Sequence, residues 1–201
     1  PDFEWVDEGM VIESTGAENW NAIDANLVLD DAGEPWLAFG SYWTGIKLIR
    51  LDPKTGLRIA PDSKMSSLAH NDSIEAAFLC RHSDYYYLFV NWGSCCQGPK
   101  STYNIRVGRS QSITGPYLDQ AGIDMMKKGG SAFLSTTNGP LIGPGHAGTL
   151  NAEGSTWFTS HFEGDLGMNG RATLAIMPLR WNAAGWPEAI VLETKAAKPA
   201  K

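Results

Sequence analysis

The fold is decided by residues 74–90, which read IEAAFLCRHSDYYYLFV. In this stretch an apolar run leads into the polar turn Arg81-His82-Ser83-Asp84, and an aromatic-rich run follows the turn. Two such runs joined by a short polar turn are typical of a β-hairpin. A third run, YNIRV at 103–107, comes after the hairpin and predicts a further strand.

The same pattern occurs twice more along the chain. Residues 23–39 read IDANLVL, DDAGE and PWLAF, and residues 146–159 read HAGTL, NAEGS and TWFT. Third runs follow these hairpins at 46–51 and 172–176. Repeated units of several short strands are typical of the blades of a β-propeller, whereas a β-sandwich also has strands joined by regular turns. The self-similarity favours an all-β propeller.

The repeats predict the organisation of the chain as one partial propeller domain at 1–192. Blades are expected at about 21–66, 70–120 and 140–192, with a remnant of an earlier blade at 1–20, a linker at 129–139 and a flexible tail at 193–201. Known propellers close with at least four blades. About three blades would leave apolar sheet faces open, so we expect a companion chain, a second protomer or a longer polypeptide to supply the rest.

Composition excludes several classes of function. The 201 residues include 22 Gly and 8 Trp, as expected of an all-β protein with many tight turns. The net charge of -6 argues against a nucleic-acid partner, because such proteins usually carry basic patches. No stretch approaches the roughly 18 consecutive apolar residues of a membrane span. A short helix is predicted only at 123–128.

Each repeat begins with a short segment that contains an ionisable residue. The three starts are Ile23-Asp24-Ala25, Ile74-Glu75-Ala76 and Gly145-His146-Ala147. Aligned in this way, Asp24, Glu75 and His146 are expected to occupy one structural position and to converge near the propeller axis. Taken singly, a carboxylate at a strand start is usually a solvated end or a turn cap, and a lone histidine is often a core residue. The alignment favours a shared site.

The three cysteines do not have the spacing of a zinc site. Cys80 lies in a predicted strand and is expected to pack as a small apolar residue. Cys95 and Cys96 are adjacent in a loop rich in Gly and Ser, and two interpretations remain open. They are either two loop thiols or a strained vicinal disulfide that stiffens a loop lining the substrate, since adjacent Cα atoms lie only about 3.8 Å apart.

Several separated motifs carry a family resemblance. They are WNAID at 20–24, FGSYWTGI at 39–46, SIEA at 73–76, CCQG at 95–98, STYNI at 101–105, GRS at 108–110, GPGHAG at 143–148 and WNAAGWP at 181–187. Together they resemble the arabinanases of glycoside hydrolase family 43, in order and over nearly all of residues 3–192. The resemblance implies a five-bladed propeller, an extracellular or periplasmic enzyme, and inverting hydrolysis of α-1,5-linked L-arabinan.

The resemblance also implies roles for individual residues. Glu75 matches the general acid, and Asp24 matches the carboxylate that keeps the acid protonated and holds its orientation. His146 matches the histidine that helps to hold a calcium ion, often through water. The general base has no counterpart in this chain, which predicts that the chain alone is inactive. Ala25 stands where family members commonly have proline.

The residue types agree with this chemistry. Inverting hydrolysis needs one protonated carboxylic acid and one ionised carboxylate, about 6.5–9.5 Å apart, to leave room for the attacking water. A like charge at Asp24 disfavours ionisation of Glu75. The four candidate substrate-binding residues are Ser41, Trp43, Trp92 and the weaker candidate Asn21. Tyr42 is a further aromatic candidate, and Arg109 is a further weak one that could instead fix a turn with Asp119.

Two other functions remain open at this stage. One is an exo-acting arabinofuranosidase of the same family, because exo or endo action depends on loops that block one end of the groove. The other is a non-catalytic propeller that binds carbohydrate and keeps only the cleft.

Overall fold

The computed structural model of the chain describes residues 3–136, 141–165, 168 and 170–191. The predicted flexible tail at 193–201 lies outside the described residues. Within the described part, twelve strands form three antiparallel sheets of four consecutive strands each. The first sheet contains β1 (Asn26–Leu29), β2 (Pro35–Phe39), β3 (Ile46–Arg50) and β4 (Ser66–Ala69). The second contains β5 (Ile74–His82), β6 (Tyr85–Trp92), β7 (Asn104–Ser110) and β8 (Ser131–Leu134). The third contains β9 (Gly145–Ala152), β10 (Ser155–Asp165), β11 (Arg171–Trp181) and β12 (Pro187–Ala189).

Each sheet is a meander in which neighbouring strands follow one another in the chain. This is the arrangement of a propeller blade. The first strands of the three sheets, β1, β5 and β9, are neighbours in space. The predicted all-β class is therefore confirmed. Asp24, Glu75 and His146 lie at or just before the starts of these three strands, so all three are found at the same end of the neighbouring sheets.

The second sheet is buried on both faces because it lies between the other two. Alternate residues of β6 point to opposite faces of a strand. Tyr86, Leu88 and Val90 join the apolar core shared with the first sheet, whereas Tyr87 and Phe89 join the core shared with the third. This explains why the aromatic-rich run of β6 has almost no polar residue until Asn91.

The outer faces of the first and third sheets keep apolar side chains in solvent. Leu27 and Leu29 of β1 are 60% and 54% exposed, and Leu174 and Ile176 of β11 are 66% and 56% exposed. In both strands the two residues are separated by one position, so they share a face. Among the described residues no helix is long and apolar enough to cross a membrane.

Two sequence-based boundaries need correction. The described part of the expected blade remnant, residues 3–20, contains no strand, since none of the three sheets offers it a hydrogen-bonded neighbour. Instead Val11, Ile12 and Trp20 pack against the core of the first sheet. The second sheet also continues past residue 120, because Ser131–Leu134, within the expected linker, is its fourth strand. The helix predicted at 123–128 is a single 3₁₀ turn, Met125–Lys127.

Polar groups tie the second and third sheets together. The Arg109 guanidinium lies 4.4 Å from the ring centroids of both Tyr85 and Trp186, and it donates to the carbonyl of Ala184. It therefore braces the loop before β12, whereas the Asp119 carboxylate accepts from backbone N–H groups of its own turn. The fully buried amide of Asn91 makes a second link. Its Oδ1 accepts from the N–H of His146 at 2.8 Å, and its Nδ2 donates to the carbonyl of Pro144 at 3.1 Å.

We expect Asn91→Ala to destabilise the protein by about 3 kcal/mol, because it leaves buried backbone groups of two sheets without partners. Urea unfolding followed by tryptophan fluorescence measures the loss. The matched control is Asn151→Ala, an exposed asparagine near the end of β9, which should change the free energy of unfolding by less than about 0.5 kcal/mol. Equal losses in the two variants would contradict this role of Asn91.

Candidate active site

A β-bulge lies at the start of the first strand of the second and third sheets, and the residue equivalent to it before β1 has the same backbone conformation. Asp24, Ala76 and His146 have positive φ angles of 57°, 53° and 55°. The pairing register shifts at these points in the second and third sheets, between Glu75 and Phe78 and beside Gly145. A bulge of this kind bends the strand and redirects its side chains.

The bulges correct the predicted alignment of the three repeats. Glu75 lies one residue before the position that corresponds to Asp24 and His146. Glu75 pairs with Asn91 just before its bulge, as Gly145 pairs with His161 just before the next one. Asp24 and His146 are thus equivalent to Ala76, and Glu75 is equivalent to Gly145. The sequence hides this register because an Ile precedes Asp24 and Glu75 alike. Asp24, Glu75 and His146 still lie at the same end of adjacent strands.

Each bulge donates its N–H to a side chain of the preceding sheet. Asp24 Oδ2 accepts from the N–H of Ala76 at 3.0 Å, and Asn91 Oδ1 accepts from that of His146 at 2.8 Å. The first contact places the half-buried Asp24 carboxylate next to the peptide of Glu75. The predicted pair of carboxylates is therefore brought together at the boundary between the first and second sheets.

The Glu75 carboxylate is held by two hydroxyl groups. Its Oε1 accepts from Tyr103 at 2.9 Å and its Oε2 accepts from Ser41 at 3.1 Å. Both partners are buried, with 4% and 3% of their surface exposed. Burial, then the charge and hydrogen bond of Glu75, raise the pKa of Tyr103 well above its ordinary value, so its hydroxyl remains a donor.

An open cleft of about 520 Å³ begins at Ser41. It is lined by Asn21, Ser41, Tyr42 and Trp43. Tyr42 and Trp43 occupy positive φ angles of 51° and 38°, in a turn whose Tyr42 N–H donates to the carbonyl of Ile74 at 2.6 Å. Trp43 is 64% exposed. Three of the four residues predicted to bind substrate thus share one cleft beside Glu75.

The fourth candidate, Trp92, lies elsewhere. It is half-buried against the core between the first and second sheets, and the guanidinium of Arg106 covers its ring at 4.6 Å from the centroid. Trp92 pairs with Ile74, whereas its neighbour Asn91 pairs with Glu75, so the two side chains point to opposite faces. The structure gives Trp92 a packing role, and Trp92 is not among the residues that line the cleft.

His146 is exposed and lies near the half-buried His161. Burial, with a smaller contribution from His146, lowers the pKa of His161. Among the described residues no three His, Cys, Asp or Glu side chains come together as a metal site. One imidazole does not fit the six to eight oxygen ligands that Ca²⁺ prefers, so these residues alone do not make a calcium site.

Cys95 and Cys96 form a vicinal disulfide, so the structure favours the second of the two interpretations. Their loop leaves β6 at the same end as Glu75 and returns through a short 3₁₀ helix, Gly98–Lys100. The carboxylate of Glu163, which is 6% exposed, accepts from the N–H of Cys96 at 3.0 Å and from the hydroxyl of Ser101 at 2.8 Å. A carboxylate of the third sheet thus anchors a loop of the second. Cys80 is separate, and burial raises the pKa of its thiol to about 12.

Three further residues contribute to this site without having been predicted from the sequence: Tyr103, Asn91 and Glu163. Tyr103 stands in the motif STYNI, where the pattern indicates only the start of a strand. A polar residue at the end of an otherwise apolar strand was the available signal for Asn91, and a carboxylate between aromatic and glycine residues was the signal for Glu163.

We expect Glu163→Ala to loosen the disulfide loop, because the N–H of Cys96 and the hydroxyl of Ser101 lose their common buried acceptor. Hydrogen–deuterium exchange should become faster at residues 94–103 than elsewhere. Glu163→Gln is the matched control, since its Oε1 can still accept both bonds, and it should exchange more slowly than Glu163→Ala. Unchanged protection of this loop in Glu163→Ala would show that Glu163 does not anchor it.

Comparison with known proteins agrees with this geometry. The family model described as glycosyl hydrolases family 43 matches residues 1–187. An extracellular exo-α-(1→5)-L-arabinofuranosidase of Cellvibrio japonicus is 39% identical over 94% of this chain and 57% of its own length. An extracellular endo-α-(1→5)-L-arabinanase of Bacillus subtilis is 43% identical over 91% of this chain and 55% of its own length. The chain therefore spans little more than half the length of these relatives.

Solved structures show the same similarity. An exo-1,5-α-L-arabinanase from a bovine ruminal metagenomic library superimposes with a TM-score of 0.88 at 38% identity, over 95% of this chain and 64% of the other. An α-L-arabinanase of Cellvibrio cellulosa in complex with arabinohexaose gives a TM-score of 0.86 at 38% identity, over 94% of this chain and 64% of the other. These neighbours are β-propellers. The chain belongs to glycosyl hydrolase family 43.

Proposed function

We propose that this chain carries the general-acid half of an inverting glycoside hydrolase that cleaves α-1,5-linked L-arabinan. The observation that carries the proposal is the position of Glu75, whose carboxylate meets Ser41 at the edge of the cleft while Asp24 binds the adjacent peptide. Relatives named for arabinan hydrolysis, and a neighbour named for its arabinohexaose complex, support this substrate. These relatives include both endo and exo enzymes, so the proposal specifies the bond and not the mode of attack.

In the proposed reaction Glu75 protonates the glycosidic oxygen as the bond to the anomeric carbon breaks. Asp24 lies beside it and accepts from the peptide N–H that follows Glu75. A water molecule attacks from the opposite face of the sugar, activated by a carboxylate that lies outside this chain. Trp43 and Tyr42 offer aromatic faces to the sugar rings, and Asn21 and Ser41 offer polar groups to their hydroxyls.

We also propose that the complete protein is a five-bladed propeller, of which this chain supplies about three blades. The general base would lie in the blades outside this chain. The apolar residues exposed on β1 and β11 lie on the two outer faces, where further blades would cover them. The chain spans 57% and 55% of two relatives' lengths, which leaves room for such blades. A companion chain, a second protomer or a longer polypeptide would each supply them. Two relatives are named as extracellular, and we extend secretion to this protein as part of the same proposal.

We expect Glu75→Gln in the complete propeller to lower the rate of arabinan cleavage by roughly 10²–10⁴-fold while sugar binding is retained, because the amide has no acidic proton to give. Reducing-sugar release measures the rate, and calorimetry with an arabino-oligosaccharide measures binding. Glu153→Gln, at an exposed turn, is the matched control and should retain full activity.

The present chain without further blades should bind poorly and should not cleave arabinan. Robust hydrolysis by the 201-residue chain would show that it contains its own base. Sugar binding without cleavage by the complete wild-type propeller would favour a non-catalytic carbohydrate-binding protein instead.

Calcium remains a proposal in which His146 supplies one contact. Because the described residues do not complete a site, water and groups outside them would have to provide the oxygen ligands. Calorimetric titration of the complete propeller with Ca²⁺ should show binding that weakens by roughly 10-fold or more in His146→Ala. His82→Gln, at the far end of β5, should titrate as wild type. Equal affinity in wild type and His146→Ala would exclude His146 from the site.

A further inference from the structure

Tyr103 reaches Glu75 from a buried position. It precedes β7, at the end of the loop that carries the vicinal disulfide. Its ring stacks on His161 of the third sheet at 5.8 Å between centroids, and its hydroxyl donates to Glu75 Oε1 at 2.9 Å. The side chain thus contacts the third sheet through its ring and Glu75 of the second sheet through its hydroxyl.

The third sheet makes room for this ring at the position equivalent to Glu75. A Cβ atom at Gly145 would lie 2.2 Å from Tyr103 Cε1 and 2.3 Å from its Cδ1, distances that real Cβ atoms do not show. The pairing of Gly145 with His161 places this backbone directly beside the stacked imidazole. The glycine is therefore required by the close approach of the tyrosine ring, which fixes the direction of the hydroxyl.

The other end of the loop is held as firmly. Ser101 and Cys96 both donate to the buried carboxylate of Glu163, and the N–H of Thr102 donates to the carbonyl of Ser94 at 3.0 Å. Tyr103 follows directly after these anchors. Its hydroxyl has little freedom to turn away from Glu75 when the sugar binds.

We propose that Tyr103 is a positioning residue that keeps the catalytic proton of Glu75 on Oε2, the oxygen next to Ser41 and the cleft. Tyr103 donates its only hydroxyl proton to Oε1, so a second proton on that oxygen would meet a donor. Ser41 can accept from a protonated Oε2 and can donate to an ionised one, because its hydroxyl rotates. The two hydroxyls therefore distinguish the two oxygens of the carboxyl group. Oε1 only accepts a hydrogen bond, from Tyr103, whereas Oε2 can carry the proton. This inference rests on the function proposed above.

In the proposed proton transfer the Oε2–H bond of Glu75 breaks and an O–H bond forms on the glycosidic oxygen. The glycosidic oxygen also keeps the electron pair of the broken C–O bond. Water adds to the anomeric carbon and gives its proton to the base that lies outside this chain. Glu75 is left as a carboxylate whose Oε1 is still bound by Tyr103.

The test compares two leaving groups in the complete propeller. Tyr103→Phe keeps the ring packed on Gly145 and His161 and removes only the hydroxyl. We expect kcat for arabino-oligosaccharides, whose leaving group needs the proton, to fall roughly 10- to 100-fold with unchanged KM, as for one lost hydrogen bond to a charged group. Dinitrophenyl glycosides of the same sugars leave without protonation, and their kcat should remain within about 3-fold of wild type.

The control is Tyr117→Phe, which removes an equally buried hydroxyl that donates to the carbonyl of Ile113, away from the cleft. It should leave both substrates unaffected. Gly145→Ala provides a second variant, because it displaces the Tyr103 ring while keeping every hydroxyl, and it should reproduce the selective loss.

The outcomes of this comparison distinguish the positioning role of Tyr103 from the proposed function. Loss of activity on both substrates alike in Tyr103→Phe, or on neither, would overturn the positioning role while leaving the proposed function in place. A wild-type propeller that cleaves neither substrate would overturn the proposed function and this inference together. Selective loss in Tyr103→Phe with a silent Tyr117→Phe supports both.

Discussion

The arrangement of the site depends on two hydrogen bonds, in which the bulge N–H groups of the second and third sheets donate to side chains of the preceding sheets. Asp24, Ala76 and His146 all adopt positive φ, which costs a residue other than glycine about 1–3 kcal/mol. Asp24 and Asn91 offset that cost at the second and third sheets by accepting the N–H groups of Ala76 and His146. The same bonds set the spacing between adjacent sheets. The conformation that redirects the side chains and the packing of the sheets are therefore stabilised by one set of contacts.

A site built in this way draws its groups from several sheets. The first sheet contributes Asp24 and Ser41, and the second contributes Glu75 and Tyr103. The third contributes the glycine that admits the tyrosine ring and Glu163, which anchors its loop. None of these groups is close to another in sequence except within a sheet. Any change that separates two sheets will disturb the Glu75 carboxylate as well as the core.

Much of this organisation could be predicted from the sequence because it rests on local patterns. Alternating apolar runs and polar turns identified the hairpins, and the motifs around Ser41 and Glu75 identified the family and the cleft. The register at Glu75 could not be obtained this way, since a bulge adds a residue without changing the pattern of apolar positions. Strand β8 was missed because four residues beside paired glycines resemble a linker. The role of Tyr103 depends on a contact with the third sheet, which no spacing within STYNI reveals.

A comparison of the two bulge acceptors separates structure from chemistry at Asp24. Asn91 performs the structural task at the third sheet with a neutral amide, whose Oδ1 accepts the same kind of bond. A carboxylate is thus not required for capturing a bulge N–H, and Asn at position 24 could accept it equally well. The negative charge at Asp24 also carries a desolvation cost, because the side chain is half-buried. Since the backbone contact does not account for the charge, its position beside Glu75 favours a part in the chemistry of the acid.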